Sequence, residues 1–349
     1  MATKTVPVEE AVGLVLPHDV TEIRTIDKFG QEEGDFKGPA FKKGHIIRAE
    51  DVDHLKRLGK DHIYVLTLGP DEIHENEAAV ILADGLCGQG VEVSGTPDEG
   101  KLSLVATHNG LLQVDVQRLY QFNLGGEVMG ATLHHNTPVT KGTQVAATRL
   151  IPLTAQRQIV AAAAAHGGEN GILQVRELAT VQAGLVITGN EVYYGRIKDR
   201  FEPVLRDKLA RLGSQVKRVA FAPDDPAEIA REIGDAIAAG CDCIITSGGM
   251  SVDPDDVTRQ GISLAGAEDT VYGTPVLPGA MFLVGRIGQI PVMGLPACGM
   301  FHRITVFDLV LPRVLTGERL TRADLAALGH GGLCSNCKKC TYPICHFGK

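Results

Sequence analysis

The residues whose types and spacing could do chemistry together run from position 244 to 258, Ile-Ile-Thr-Ser-Gly-Gly-Met-Ser-Val-Asp-Pro-Asp-Asp-Val-Thr. An apolar run that begins at Cys241 breaks at Thr246 into small hydroxyl and glycine residues, then three aspartates and a predicted helix start. Glycine lacks a Cβ and tolerates positive φ, so a buried strand ending in Ser-Gly-Gly lets a ligand approach the backbone. The amides of such a loop and of the following helix suit an anionic group such as a phosphate. The aspartate cluster suits a hard cation like Mg²⁺, which takes one or two carboxylates and completes its shell with substrate oxygens. The stretch therefore predicts a phosphate-and-metal site.

Two further acids sit in similar places. Glu191 follows Leu185-Val186-Ile187 and the turn Thr188-Gly189-Asn190, and Asp224 follows the apolar segment 216–221. If the strands before Glu191, Asp224 and Asp256 are parallel neighbours, the three carboxylates converge on one rim. There they would position a metal ion, a phosphate and an oxyanion for group transfer. Asp225 reads instead as a helix cap, and Asp253 and Asp255 as solvated loop charges.

The elements that must hold these groups are legible from Gly184 onward as strand–helix alternation, the pattern of a parallel sheet. Residues 199–212 carry Phe201, Val204, Leu205, Leu209 and Leu212 on one side, and Gly213 stops them. After the strand at 216–221, Asp225 fits an N-cap, Pro226 the first helical position and Glu228 the partner of a capping box. Ile229, Ile233 and Ile237 continue that helix. Two more strands are expected around 281–284 and 291–293, with a turn near Gly288, and a last long helix around 301–314.

Upstream, residues 1–70 read as a small α+β module, a scaffold or a dimer contact. Residues 71–180 read as β-rich, with a helix over 75–86 and a hairpin turn at Asn109-Gly110 between two strands. His134-His135 is not a metal pair, because neighbours in a strand point to opposite faces.

Bulk properties narrow the class. At 349 residues and 44% hydrophobic content, the chain can build two or three domain cores. A formal charge of −8 argues against nucleic acid or an anionic membrane surface as main partner. There is no membrane-length apolar run and no signal-peptide core, so a cytoplasmic location is expected. In that setting eight cysteines are not disulfides. Cys298 reads as a small buried apolar residue beside the site.

Four cysteines are packed at the end of the sequence. Cys334, Cys337, Cys340 and Cys345 have the spacing C-x2-C-x2-C-x4-C, with His346 adjacent. Four soft ligands so close can enclose one Zn²⁺ or an iron–sulfur cluster. The leader Gly331-Gly332 predicts a flexible appendage in residues 321–349, with a redox or docking role.

Thr188-Gly189-Asn190-Glu191, Asp224-Asp225-Pro226, the segment from Thr246 to Thr258, Leu277-Pro278-Gly279 and Gly294-Leu295-Pro296 occur in this order across about 110 residues. Together they resemble the molybdopterin-binding domain of molybdopterin molybdotransferases, the molybdenum insertases of cofactor biosynthesis. The resemblance implies a three-layer α/β/α domain over 181–320. It also implies a homodimer, as ligands molybdopterin or adenylated molybdopterin with molybdate and Mg²⁺, and for the cysteine tail docking to a molybdoenzyme or biosynthetic partner. In that family the reaction yields molybdenum cofactor and AMP. By position, Glu191, Asp224 and Asp256 match the acids implicated in the reaction. Ser247, Gly248, Gly249 and Ser251 match the phosphate-binding turn, and Thr188 and Gly189 the first loop. Thr258, Pro278, Gly279 and Pro296 fall in the matching segments and are assigned to the same pocket.

The departures matter. The family's Lys-Pro-Gly-Lys-Pro is Leu277-Pro278-Gly279-Ala280-Met281 here, and its Gly-Leu-Pro-Gly-Asn-Pro is Gly294-Leu295-Pro296-Ala297-Cys298-Gly299. Two cations that could hold an oxyanion are missing, and His302 and Arg303 are candidate replacements. Cofactor binding survives this better than metal insertion does. Three readings follow: a molybdotransferase, a non-catalytic molybdopterin carrier or sensor, and a nucleotide-processing enzyme. The third arises because competence-type nucleotide amidohydrolases share a related domain.

Overall fold

The computed structural model describes residues 3–24, 36–66 and 68–349. Its largest sheet is built from β1 (Gln182–Thr188), β2 (Gln215–Ala222), β3 (Cys243–Ser247), β4 (Glu268–Tyr272), β5 (Leu283–Ile287) and β6 (Ile290–Leu295), in the order β2-β1-β3-β6-β5-β4. The first four in that order are parallel, and β5 and β4 add antiparallel strands at one edge. All of β3 and nearly all of β1 are buried, which is why they read as continuous apolar runs: both faces are covered.

The covering helices are α1 (Phe201–Arg211), α2 (Pro226–Ala238), α3 (Thr258–Leu264) and α4 (Val306–Leu315). The pleat sorts the strand residues. Leu185, Ile187, Ile245 and Met293 pack against Phe201, Leu205 and Leu209 of α1 and Val310 and Leu311 of α4. Val186, Ile244 and Val292 pack on the other face against Ile229 and Ile233 of α2 and Ile262 of α3. This is a three-layer α/β/α domain. Register pairs Thr188 with Ala222, Ile187 with Ser247 and Ser247 with Leu295, so four carboxyl-terminal strand ends share one rim.

Local helix chemistry follows the sequence with two differences. Asp225 caps α2, accepting from the amides of Ala227 at 2.8 Å and Glu228 at 3.1 Å. Glu228 does not close the box; its carboxylate is held at 2.8 Å by Arg231. The last long helix begins at Val306, not near 301. Thr305 accepts from Phe307 N at 3.2 Å, and Asp308 accepts from Thr305 N at 2.7 Å, so capping fixes the start there. Residues 297–300 form a short 3-10 turn, which leaves His302 and Arg303 on a loop rather than a helix surface.

The middle of the chain departs further. The strand Lys101–Ala106 pairs with Val91–Asp98 and Gln144–Leu150, whereas Gly110–Val114 joins Thr137–Val139 and Leu173–Arg176 in a separate sheet. Asn109-Gly110 is therefore not a hairpin turn; Asn109 instead accepts from Lys141 N at 2.9 Å. His135 accepts from Val114 N at 3.1 Å, a structural role. Upstream, Val8, Leu16, Ile47, Leu55 and Ile63 close a small core of their own.

The cysteine segment is not an appendage. Phe347 is 1% exposed and belongs to the same core as Phe307 and Val310. The Tyr342 hydroxyl donates to the carbonyl of Asp308 at 2.9 Å. Leu277 N donates to Gly332 O, and Cys334 N to Leu277 O, both at 2.8 Å. Gly332 is there for close approach and not for looseness: a Cβ would lie 2.5 Å from the carbonyl oxygen of Leu328.

Candidate functional site

Above the shared rim lies a cavity of about 450 Å³, walled by residues of the loops 249–256, 277–281 and 296–302. Gly249, Ser251, Asp256, Pro278, Gly279 and Pro296 all line it. Met250, Leu277, Met281 and Ala297 make much of the wall apolar; Asp256, Cys298 and His302 are its ionisable side chains. Burial raises the Cys298 thiol pKa, in keeping with a neutral thiol.

Beneath the cavity, hydroxyls stitch the loops together. Thr188 donates to Ser247 O at 2.9 Å, and its Oγ1 is 2.8 Å from that of Thr258. Both threonines are buried. They brace the first loop against the glycine turn and do not line the cavity. Gly249 has φ of +55°, and a Cβ there would come within 2.3 Å of Thr258 Oγ1. Its missing side chain thus admits a threonine, where the sequence suggested room for a ligand. Gly248, one residue earlier, also has a positive φ. Ser247 Oγ is buried and, among the described residues, has no hydrogen-bond partner.

The three acids are distributed unequally. Asp224 Oδ2 accepts from Asn190 N at 2.9 Å, and Asn190 Oδ1 accepts from Asp224 N at 3.3 Å, a reciprocal tie between the first two loops. Burial raises the Asp224 pKa; the Asn190 hydrogen bond opposes this, and the nearby charges of Glu191, Asp255 and Asp256 add to it. The carboxylates are therefore within electrostatic reach of one another. Glu191 is exposed on the short helix Asn190–Tyr193, next to Gly189. Of the three, Asp256 lines the cavity, and its Oδ2 accepts from Asp253 N at 3.2 Å.

Two supports had no sequence signal. Tyr272 donates to Met250 O at 2.7 Å, while the Arg259 guanidinium stacks over the Tyr272 ring at 4.2 Å, bracing the glycine turn from behind. Lys208, on the buried side of α1, binds both oxygens of Asp308 at 2.5 and 2.6 Å and Arg303 O at 2.6 Å. This fixes the loop that carries His302.

On the far side of that loop is a second cavity of about 210 Å³, lined by Cys334, Cys337, Cys340 and Cys345 together with residues 301–304. His302 lines both cavities, and its Nδ1 is 3.2 Å from Asn336 Oδ1. Among the described residues, no three Cys, His, Asp or Glu side chains are gathered around a single-ion position.

In α/β domains with a mostly parallel sheet, the crevice at the carboxyl strand ends is where small molecules bind. Residues 184–316 match the family described as a probable molybdopterin binding domain. Residues 5–67 match a domain of unknown function. A CinA-like protein of Mycobacterium leprae is 38% identical over 86 residues, 25% of this chain and 20% of that protein. Another, from Mycolicibacterium vanbaalenii, is 35% identical over 111 residues, 32% of this chain and 25% of that protein. The chain thus matches only a fifth to a quarter of the length of these relatives. Among solved structures, the molybdopterin biosynthesis enzyme MoaB of Thermus thermophilus is similar at a TM-score of 0.34 and 21% identity, covering 40% of this chain and 98% of that one. The Mog protein of Mycobacterium ulcerans gives 0.32 and 22%, covering 39% and 93%.

Proposed function

We propose that the cavity over the strand ends binds molybdopterin, and that the protein acts as a molybdopterin carrier or sensor in molybdenum cofactor biosynthesis. The observation that carries this reading is the composition of the wall. Leu277 and Met281 offer apolar surface, while the turn through Gly249 and Ser251 offers polar backbone. An apolar lining with a few placed polar groups is what a small planar ligand with one anionic end requires. His302 is the side chain on the wall able to add positive charge.

A second reading, molybdate insertion into adenylated molybdopterin with release of AMP, draws on Asp256 in the cavity and on Glu191 and Asp224 nearby. Asp256 is the oxygen donor suited to holding Mg²⁺, which would neutralise phosphate charge when bound. In that reading Glu191 and Asp224 set the field at the rim, and His302 orients the anion. Leu277 and Ala280 line the wall where the resembling insertases carry lysines, which favours the carrier reading.

One preparation tests both. The full chain is purified and assayed for bound pterin by its fluorescence after oxidation, then for AMP release from adenylated molybdopterin with molybdate and Mg²⁺. Pterin retained without AMP release is the expected result. AMP release that disappears in Asp256→Ala would establish the transferase instead. Pterin-free protein that hydrolyses nucleotides would overturn both.

A further inference from the structure

We propose that Cys334, Cys337, Cys340 and Cys345 hold an iron–sulfur cluster in the second cavity, immediately behind the wall of the ligand cavity. Four observations lead there. All four thiols line one cavity of about 210 Å³, although they come from a loop that carries no regular secondary structure. A mononuclear zinc site needs its four sulfurs at about 2.3 Å from one centre, and among the described residues no three such ligands are gathered that closely. A cluster is a cage ligated at its corners, and cysteines repeated at x2 intervals are a way of wrapping one.

The loop is also held from outside at both ends. Cys334 is pinned through its backbone to Leu277, Asn336 takes φ of +50° to turn the chain between Cys334 and Cys337, and Phe347 anchors the far end in the core. The neighbouring imidazole is engaged elsewhere: His346 Nε2 lies 3.1 Å from Ser335 Oγ and 3.2 Å from Leu333 O. The four thiols are then the largest donor set on this cavity, with the His302 and His346 rings beside them. Finally, Arg303 lines the cavity and Lys338 and Lys339 sit within the ligand loop, positive charge suited to an anionic thiolate cluster.

The test uses the full chain, purified without oxygen and, if needed, reconstituted with ferrous iron and sulfide. Iron, acid-labile sulfide and zinc are measured, and visible and electron paramagnetic resonance spectra are recorded before and after dithionite. The expected result is iron and acid-labile sulfide in equal amounts, about two or about four of each per chain. Broad visible absorption should bleach on reduction. Cys337→Ser and Cys340→Ser change exposed side chains and are expected to lose most of the iron with unchanged far-ultraviolet circular dichroism. Cys298→Ser, outside the cavity, is expected to keep it. Stoichiometric zinc without sulfide overturns the proposal, as does a chain that binds no metal after reconstitution. None of these readouts involves pterin, so the result is independent of the ligand cavity.

Discussion

Asp224 shows how one carboxylate can report on its surroundings. Its pKa is raised by burial and by the acids around it. The native state therefore holds this proton more tightly than the unfolded chain does. Stability is lost as pH rises from the ordinary aspartate range, about 4, through the raised value. Asp224→Asn keeps an acceptor for Asn190 N and removes the charge. The variant should match the wild type near pH 4 and melt roughly 1–3 °C higher at pH 7. Calorimetry across that range checks it; a wild type more stable at pH 7 would mean the carboxylate has a compensating partner. Asp256 differs because it faces the cavity. Asp256→Asn should leave the melting temperature within about 1 °C, while Mg²⁺-dependent affinity for a phosphorylated pterin falls roughly tenfold, read by fluorescence titration.

At the scale of elements, the glycine turn is fitted to its neighbours. Gly249→Ala places a methyl group against Thr258 at positive φ, and should cost about 1–3 kcal/mol in urea unfolding. Pairing it with Thr258→Ser, which deletes a methyl but keeps the hydroxyl, should recover little, since Oγ1 is the atom in the way. The α1–α4 ion pair makes a sharper case. Lys208 is only 8% exposed, so Lys208→Met strands Asp308 and should cost about 3–5 kcal/mol. Lys208→Met with Asp308→Asn should recover part of that, measured by the same unfolding curves. What the sequence disclosed at this scale is the chemistry of contiguous residues. Asp225-Pro226 capping α2 and the buried runs of β1 and β3 each depend on a few adjacent side chains. Lys208 was missed because its partner lies 100 residues away. The supposed hairpin at Asn109-Gly110 failed for a related reason: turn chemistry permits a hairpin, but pairing across the whole sheet decides which strands meet. Asp224 lies two residues past its strand and Asp256 nine past its own, and which acid enters the cavity depends on loop paths set by Thr188, Thr258 and Tyr272.

Across the whole molecule, the family match covers the three-layer domain and leaves the cysteine segment outside it. Two glycines precede that segment, and in the sequence alone they suggest looseness. In the fold those glycines allow close backbone contact, and the anchor that matters is Phe347, a single aromatic at a distance no local pattern reveals. Tyr342 ties the same segment to α4, where burial pushes the phenol pKa up. Phe347→Ala should destabilise the chain by about 3–5 kcal/mol and increase hydrogen exchange at 332–348 more than elsewhere. Equal loosening of the upstream small module would contradict that placement.

The loop through His302 is a party wall: one face belongs to the cavity over the strands, the other to the nest of cysteines. Two occupants separated by a single loop cannot be energetically deaf to each other, and whatever coupling exists must be mutual. If a metal cluster fills one side, occupancy of the other will displace its midpoint potential. Reduction will then alter the neighbour's dissociation constant by the same free energy, so redox titration with and without pterin would read the conversation from both ends.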